Sequence, residues 1–370
     1  MNNISNIFLN KKILIYGLGK TGLSTYKFLK DKNKVFLFDD FLSNGVLFNE
    51  KKKIINYKSI LKSDFDLIVL SPGIDINNCK LSKYLGKNRK KIFSDLDIFK
   101  SFYKNLCITI TGTNGKSTTC QLLYEVLLKH KFDVKLVGNI GNPILSVKGI
   151  RKKTIFVVEA SSYQLEYSQL FKSKFAAILN LSADHLERHK TLNNYVKAKF
   201  KLLSNQPKNG TFFVNKYDLL TQKELNSKKF KSNIIKVDSK KVGSFLNTID
   251  NNYFLTETNK ENLSFVFEIS KKFKLKKELL MKTFQNFKGL NFRQQIIFKK
   301  KYLTIINDSK STSFSSSIGV LKANNNIYWL LGGINKKVIN LNYQKNILII
   351  SELLFMEKIK NFFIKNLKVK

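Results

Sequence analysis

The sequence predicts an α/β protein made of two successive parallel-sheet domains followed by a shorter third domain of the same kind. Three observations carry that reading. Short runs of Ile, Val, Leu and Phe alternate with longer helical patterns, which is the rhythm of βαβ units. A GxGxxG stands where the first apolar run meets a helix, and a phosphate-loop pattern stands at the start of the second series.

In chain order, the first series is KKILIY, a helix, KVFLF at 34 to 38 and DLIVL at 66 to 70. The second begins at LCITIT (106 to 111) and runs through VKLV (134 to 137), TIFVV (154 to 158), FAAILNL (175 to 181) and TFFV (211 to 214). The third begins after Gly289 and Leu290, with YLTII (302 to 306), IYWLL (327 to 331) and NILII (346 to 350). The lysine-rich stretch 223 to 241 reads as a solvated connection. Residues 353 to 366 read as a last amphipathic helix. The expected domains are 1–95, 96–290 and 291–370.

Composition narrows the class. With 43% hydrophobic and 25% charged residues over 370 positions, the chain can bury a sizeable core, and wholesale disorder is excluded. No apolar run approaches the roughly 18 residues of a membrane span, and MNNISNIFLN lacks a signal-peptide pattern. A cytoplasmic protein with no membrane insertion is expected. Cys79, Cys107 and Cys120 are few and scattered, so buried free thiols are expected instead of a disulfide framework or a zinc site. The net charge of +40 raises the question of nucleic acid. Only four of the 66 basic residues are arginines, however (Arg89, Arg151, Arg188 and Arg293), and the lysines are spread over every segment. Arginine is the usual residue for bidentate phosphate and base contacts. Abundant Lys, Asn, Ile and Phe beside scarce Arg and Pro is the pattern an A/T-rich genome imposes, so no nucleic-acid partner is expected.

The first glycine turn is Gly17, Leu18, Gly19, Lys20, Thr21, Gly22, and Asp39 ends the next strand. Amides at a helix N-terminus hold phosphate, and an acidic residue about twenty positions on meets a ribose hydroxyl in dinucleotide folds. This pattern does not separate NAD from another diphosphate ligand. Ser71, Pro72 and Gly73 follow the third strand, at the sheet edge where such folds bind ligands. The sharper signal is Thr111, Gly112, Thr113, Asn114, Gly115, Lys116, Ser117, Thr118, between the strand LCITI and the helix QLLYEVLLKH. Glycines let amides approach phosphate oxygens, Lys116 supplies a positive charge, and the Ser117 hydroxyl suits Mg²⁺. Glu159 ends an apolar strand, where a carboxylate is costly to bury without a metal or water to serve. Next comes NLSADHLERH (180 to 189). Its histidines lack the HExxH order, so zinc is not indicated. The lysines of YVKAKFK (195 to 201) read as an ordinary basic helix, with none singled out by chemistry.

Taken in order, GTNGKST, GNIG (138 to 141), EASSYQLE (159 to 166), NLSADHLERH and YVKAKF resemble the Mur ligases. The segments GLGKTGLS, SPGI, NDSKSTS (307 to 313) and LLGG (330 to 333) narrow the likeness to members that join D-glutamate to UDP-N-acetylmuramoyl-L-alanine. The resemblance implies three domains: a Rossmann-like domain for the UDP substrate, a central P-loop ATPase domain, and a Rossmann-like domain for the amino acid. It implies a cytoplasmic, ATP- and Mg²⁺-dependent ligation in peptidoglycan precursor synthesis, through an acyl phosphate, by a monomer.

Site residues follow from the same likeness. Lys116 and Arg293 would surround the moving phosphoryl group. Ser117 and Glu159 would hold the nucleotide's Mg²⁺, and His185 and Lys199, the latter as a carbamate, would hold a second. Gly112, Thr113, Asn114, Gly115, Thr118, Asn259, Asn262 and Asp308 would complete the ATP site. Gly19, Lys20, Thr21, Asp39, Ser71, Pro72, Gly73, Asn139 and His185 would meet the UDP substrate, and Lys310, Thr312 and Lys336 the D-glutamate. Thr258 and Phe292 replace histidines of the family's HNxxN and HR patterns. After about residue 344 the family's serine and phenylalanine motifs are not found, so the third domain is expected to be incomplete, truncated or aberrant. The competing expectations are a non-catalytic nucleotide-binding remnant, another Mur ligase, and a folylpolyglutamate synthetase-like ligase.

Overall fold

A computed structural model describes residues 6–41, 53–246, 248–311, 314–332 and 350–355. The first unit places β1 (Lys12–Tyr16), α1 (Lys20–Leu29), β2 (Lys34–Phe38), α2 (Tyr57–Leu61), β3 (Leu67–Leu70), α3 (Ser82–Lys87) and β4 (Ile92–Phe93) in a four-stranded sheet of order β2-β1-β3-β4. All its pairings are parallel. The short apolar runs are buried on both faces: every residue of β3 is buried, as parallel sheets covered on two sides require. Gly22 shows why the turn is glycine-rich. A Cβ there would lie 1.8 Å from the Gly17 carbonyl oxygen, so α1 could not pack this close to β1.

α4 (Asp95–Phe102) leads into the second unit. Ser94 and Asp97 close a reciprocal capping box at its start. Then follow β5 (Cys107–Thr111), α5 (Lys116–Lys129), β6 (Val134–Gly138), β7 (Ile155–Glu159), α6 (Ser162–Tyr167), β8 (Phe175–Ile178), α7 (Leu186–His189), α8 (Leu192–Ser204), β9 (Thr211–Asn215), α9 (Leu219–Asn226) and β10 (Asn233–Val237). The sheet order is β10-β9-β8-β5-β7-β6, again parallel throughout. β5 is central, and the chain order reverses around it. The crevice at its carboxyl end is therefore the switch point where open α/β sheets bind ligands. α10 (Ser239–Leu246), α11 (Glu257–Ser270) and α12 (Lys277–Gln285) follow. Leu263, Val266 and Ile269 of α11 pack with Leu123 and Leu127 of α5 in one buried cluster. Burial of each such side chain stabilises the fold by roughly 1.5–3 kcal/mol.

The last described elements are the antiparallel pair β11 (Gln295–Lys300) and β12 (Leu303–Asn307), α13 (Phe314–Lys322), and the parallel pair β13 (Ile327–Leu331) and β14 (Ile350–Phe355).

Three expectations need correction. The stretch 223 to 241 is not a mere connection, since it holds the end of α9, all of β10 and the start of α10. β10 is an edge strand with a mixed exposure pattern, and the lysines on either side of it hid it. Of the strand expected at 346 to 350 only Ile350 lies among the described residues, where it opens a strand that runs to Phe355, so 353 to 355 are extended and not helical. Of the three free thiols, Cys107 and Cys120 are buried while Cys79 is only half-buried.

Candidate active site

The loop after β5 is held by its neighbours before any ligand is considered. Thr113 N donates to the Asn180 carbonyl at 2.8 Å, and Asn114 N donates to Asn180 Oδ1 at 2.8 Å. The Thr113 hydroxyl meets Tyr195 Oη at 3.0 Å. Gly115 caps α5 with φ +82, which favours glycine, and an added Cβ would stand 2.1 Å from Asn262 Oδ1. The loop thus stands at the N-terminus of a fourteen-residue helix, an anion-binding position. Lys116 Nζ curls back to the carbonyls of Gly112 (2.8 Å) and Thr113 (2.6 Å). Burial lowers its pKa, partly opposed by the charge of Glu159.

Around this loop lies a cavity of about 390 Å³. It brings together Thr113 to Thr118, Asn139, Glu159, His185, Lys199, Asn259, Asn262, Arg293, Asp308 and Lys310. Lys116, Arg293 and Lys310 converge there with the Lys199 amine and the carboxylates of Glu159, Asp184 and Asp308. Gly112 lies directly behind the loop at φ +146, packed against Leu179 and Asn180.

Glu159 closes β7 beside Ile110 and is 1% exposed. Its Oε1 accepts from Asn139 Nδ2 at 2.7 Å, while buried Oε2 has no hydrogen-bond partner. Ser117, whose side chain is buried, lines the same cavity. One orphaned carboxylate oxygen and one hydroxyl are hard donors suited to Mg²⁺, which keeps waters and phosphate oxygens for its other positions. Among the described residues no three His, Cys, Asp or Glu side chains cluster to hold a metal by themselves.

Lys199 corrects the reading of its helix as ordinary. It is 2% exposed, donates to the Gly112 carbonyl at 2.8 Å, and lies 4.7 Å from the centre of the Tyr195 ring. Burial first, then the neighbouring charge of Lys116, holds its pKa well below the usual lysine range. His185 sits at the start of α7 with φ +55, its ring 4.9 Å from that of Tyr163. Its nitrogens lie 3.3 Å from Asp184 and 3.4 Å from Glu187. Buried His189 instead bonds Ser162 Oγ at 3.0 Å, and burial pushes its pKa down to about 4.

The third unit closes the cavity. Arg293 stands between Phe292 (φ +64) and Gln294 (φ +48), both left-handed. Gln294 Oε1 accepts from Asn259 Nδ2 at 2.9 Å, and Gln294 N donates to Asp308 Oδ1 at 3.0 Å. Burial raises the Asp308 pKa. Ser316 Oγ reaches Asn114 Oδ1 at 3.1 Å. Sequence reasoning did not single out Asn180, Tyr195, Gln294 or Ser316. The first two lie inside motifs it quoted, whereas nothing in the pattern marks Gln294.

The residues expected to bind a UDP substrate are split. Asn139 and His185 line the cavity, while Gly19, Lys20, Thr21, Asp39, Ser71, Pro72 and Gly73 lie around the glycine turn of the first unit. There Asp39 Oδ2 accepts from Leu18 N at 2.5 Å, and Ser71 Oγ donates to the Gly17 carbonyl at 2.6 Å. Thr312 and Lys336 lie outside the described residues.

The Mur ligase middle domain matches residues 110–280. The UDP-N-acetylmuramoylalanine--D-glutamate ligase of Rickettsia prowazekii (strain Madrid E) is 33% identical over 353 residues, spanning 90% of this chain and 79% of its own length. Its namesake from Clostridioides difficile (strain 630) is 32% identical, spanning 88% and 78%. Among solved structures, UDP-N-acetylmuramate-alanine ligase from Thermotoga maritima matches with a TM-score of 0.55 at 16% identity, over 97% of this chain and 88% of that one. A MurF ligase from the same organism, in complex with ADP, matches with a TM-score of 0.51 at 12% identity, over 88% and 78%. These two show a shared fold.

Proposed function

The chain belongs to the Mur ligase family, and from that premise we propose that it joins D-glutamate to UDP-N-acetylmuramoyl-L-alanine in peptidoglycan precursor synthesis. It is an ATP-dependent ligase. The observation that carries the reading is the convergence of the phosphate loop, Glu159, Lys199, Arg293 and Asp308 on one cavity, in a chain whose relatives carry the D-glutamate ligase name.

In this reading residues 1–95 bind the UDP substrate, 96–290 bind ATP, and 291–370 bind the amino acid. The loop from Thr113 to Thr118 holds the ATP phosphates, with amides from Gly115 onward as donors, Asn259 and Asn262 on the base side and Asp308 at the ribose. Gly19, Lys20, Thr21, Asp39 and the loop of Ser71, Pro72 and Gly73 hold the UDP part, and Asn139 and His185 guide the muramoyl end into the cavity. The alanine carboxylate attacks the γ-phosphorus to give an acyl phosphate and ADP. Lys116 and Arg293 neutralise charge as the phosphoryl group moves. The neutral amine of D-glutamate, gripped by Lys310, Thr312 and Lys336, then attacks the acyl carbon. Phosphate leaves and the amide remains.

Mg²⁺ would supply further charge neutralisation at the phosphates when bound, with Ser117 and Glu159 as its protein ligands at one position and His185 and carbamylated Lys199 at another. The depressed pKa of Lys199 supports the carbamate, since it favours the neutral amine, which adds to CO₂ with loss of one proton and leaves an anionic carbamate oxygen as the ligand. No described helix is long and apolar enough to cross a membrane, and we place the enzyme in the cytoplasm as a monomer.

The test is ATP-dependent phosphate release with UDP-N-acetylmuramoyl-L-alanine and a panel of amino acids. Release with D-glutamate and not with L-alanine, L-lysine or L-glutamate supports the reading. Equal release with another amino acid sinks it.

A further inference from the structure

Arg188 is buried where two units meet, its side chain 6% exposed. An unpaired guanidinium in that place would be strongly destabilising, and its partners come from both sides. From the second unit, Glu166 Oε2 accepts from Nη2 at 3.3 Å, the Tyr167 hydroxyl also accepts from Nη2, and the guanidinium carbon lies 4.7 Å from the centre of the Tyr163 ring. From the first unit, the Pro72 carbonyl accepts from Nη1 at 3.4 Å, and Asp75 Oδ1 lies 3.7 Å from Nε. A cleft of about 650 Å³ lined by both units opens beside it. Tyr167 adds a second bridge at the same point: its hydroxyl donates to the Ile74 carbonyl at 2.8 Å and accepts from Ile76 N at 3.3 Å.

Each end of this bridge leads to a site. Pro72 follows Ser71, whose hydroxyl is fixed to Gly17 of the glycine turn. At the other end, Arg188 N donates to the His185 carbonyl at 3.1 Å, so the two residues share one helical turn, and the Tyr163 ring that carries the guanidinium also packs on His185. A planar, fixed-charge fork can hold several acceptors in one geometry, which a lysine cannot.

We propose that Arg188 is a positioning residue that couples the first unit's ligand loop, Ser71 to Asp75, to His185 in the phosphate-loop cavity, so that loading of a nucleotide sugar in one unit sets the geometry of the other. This rests on the reading that the glycine turn holds the UDP substrate. The bonds themselves do not depend on it.

Hydrogen exchange of the wild type, Arg188→Ala, Arg188→Lys and Tyr167→Phe tests the coupling without turnover, first in the absence of ligand. Arg188→Ala is expected to lose protection in two separate segments, 71–78 and 183–190, while the β5 and α5 core keeps its protection. Tyr167→Phe leaves a ring under the guanidinium and gives the same pattern, weaker. Arg188→Lys recovers thermal stability relative to Arg188→Ala but not the paired protection. In kinetics, Arg188→Ala raises KM for UDP-N-acetylmuramoyl-L-alanine about tenfold and lowers kcat, with KM for ATP within twofold. Loss of protection at 183–190 alone, or spread evenly over the chain, overturns the proposal, as does an unchanged KM for the UDP substrate in active Arg188→Ala protein. If the wild type does not turn over this substrate, the substrate assignment fails, and the ligand-free exchange still decides the coupling.

Discussion

Gly115→Ala is the sharpest single perturbation of the phosphate loop. At φ +82, any residue with a Cβ costs about 1–2 kcal/mol in backbone strain. The new methyl would also lie 2.1 Å from Asn262 Oδ1 and 2.8 Å from its Cγ, so the Asn262 side chain must move. That side chain is buried, and its Nδ2 donates to Asn259 Oδ1 at 3.3 Å. Losing such a buried bond costs about 1–3 kcal/mol. Gly149 separates the two causes: it has φ +66 and nothing within 4 Å of an added Cβ, so Gly149→Ala carries the strain alone. The two variants should differ by about 2 kcal/mol, or roughly 4–8 °C in melting temperature for a domain of this size. Only Gly115→Ala should raise KM for ATP, by tenfold or more. Thermal melts and ATP titrations of the phosphate-release rate check both. If the two variants melt together and share the wild-type KM for ATP, the contact between Gly115 and Asn262 has no part in holding the loop.

Three further outcomes are expected. Glu159→Gln removes the charge on the orphaned buried oxygen, so half-maximal activity should need at least tenfold more Mg²⁺ while the protein melts no lower; an unchanged Mg²⁺ titration argues against Glu159 as a ligand. Lys199→Ala should be nearly inactive and partly restored by short carboxylic acids; no rescue, together with no carbamate carbon signal in wild type equilibrated with ¹³CO₂, removes the carbamate. Asp95 is buried with Oδ1 unpartnered, and burial raises its pKa to about 6. A folded pKa above the unfolded value means its contribution is fully present below about 3.9 and is lost as pH rises through about 6. Ionised Asp95 therefore costs up to about 3 kcal/mol at pH 8. Asp95→Asn should raise the melting temperature at pH 8 and change it little at pH 4; an equal gain at both pH values would mean that ionisation is not the cause.

The strands and the phosphate loop were legible because their signals are local. A five-residue apolar run such as CITIT, or glycines flanking Lys116, needs no partner to be read. β10 escaped because this edge strand, NIIKV, with exposed Asn233 and Lys236, is set in a lysine-rich stretch and lacks a long apolar run. Lys199 could not be distinguished by pattern from its neighbours Lys197 and Lys201: only its burial and its bonds to Thr111 and Gly112 at the end of β5 show that one of them is enclosed there. Gln294 joins Asn259 to Asp308 across 35 and 14 positions of sequence, and such a link has no short-range signature. The basic charge, conspicuous in the count, matters at few places. Lys116, Lys199, Arg293 and Lys310 face the cavity, and Arg188 holds the junction.

The central claim is that a carboxylate is activated by direct phosphorylation before an amine attacks it. The most direct measurement uses UDP-N-acetylmuramoyl-L-alanine labelled with ¹⁸O in the alanine carboxylate, with ATP and D-glutamate, followed by mass analysis of the released phosphate. One carboxylate oxygen becomes the bridging oxygen of the acyl phosphate and leaves with phosphorus, so each phosphate released from doubly labelled substrate should carry one ¹⁸O, with release dependent on D-glutamate. Phosphate free of label, or labelled at the same rate with D-glutamate replaced by L-glutamate, would contradict the account.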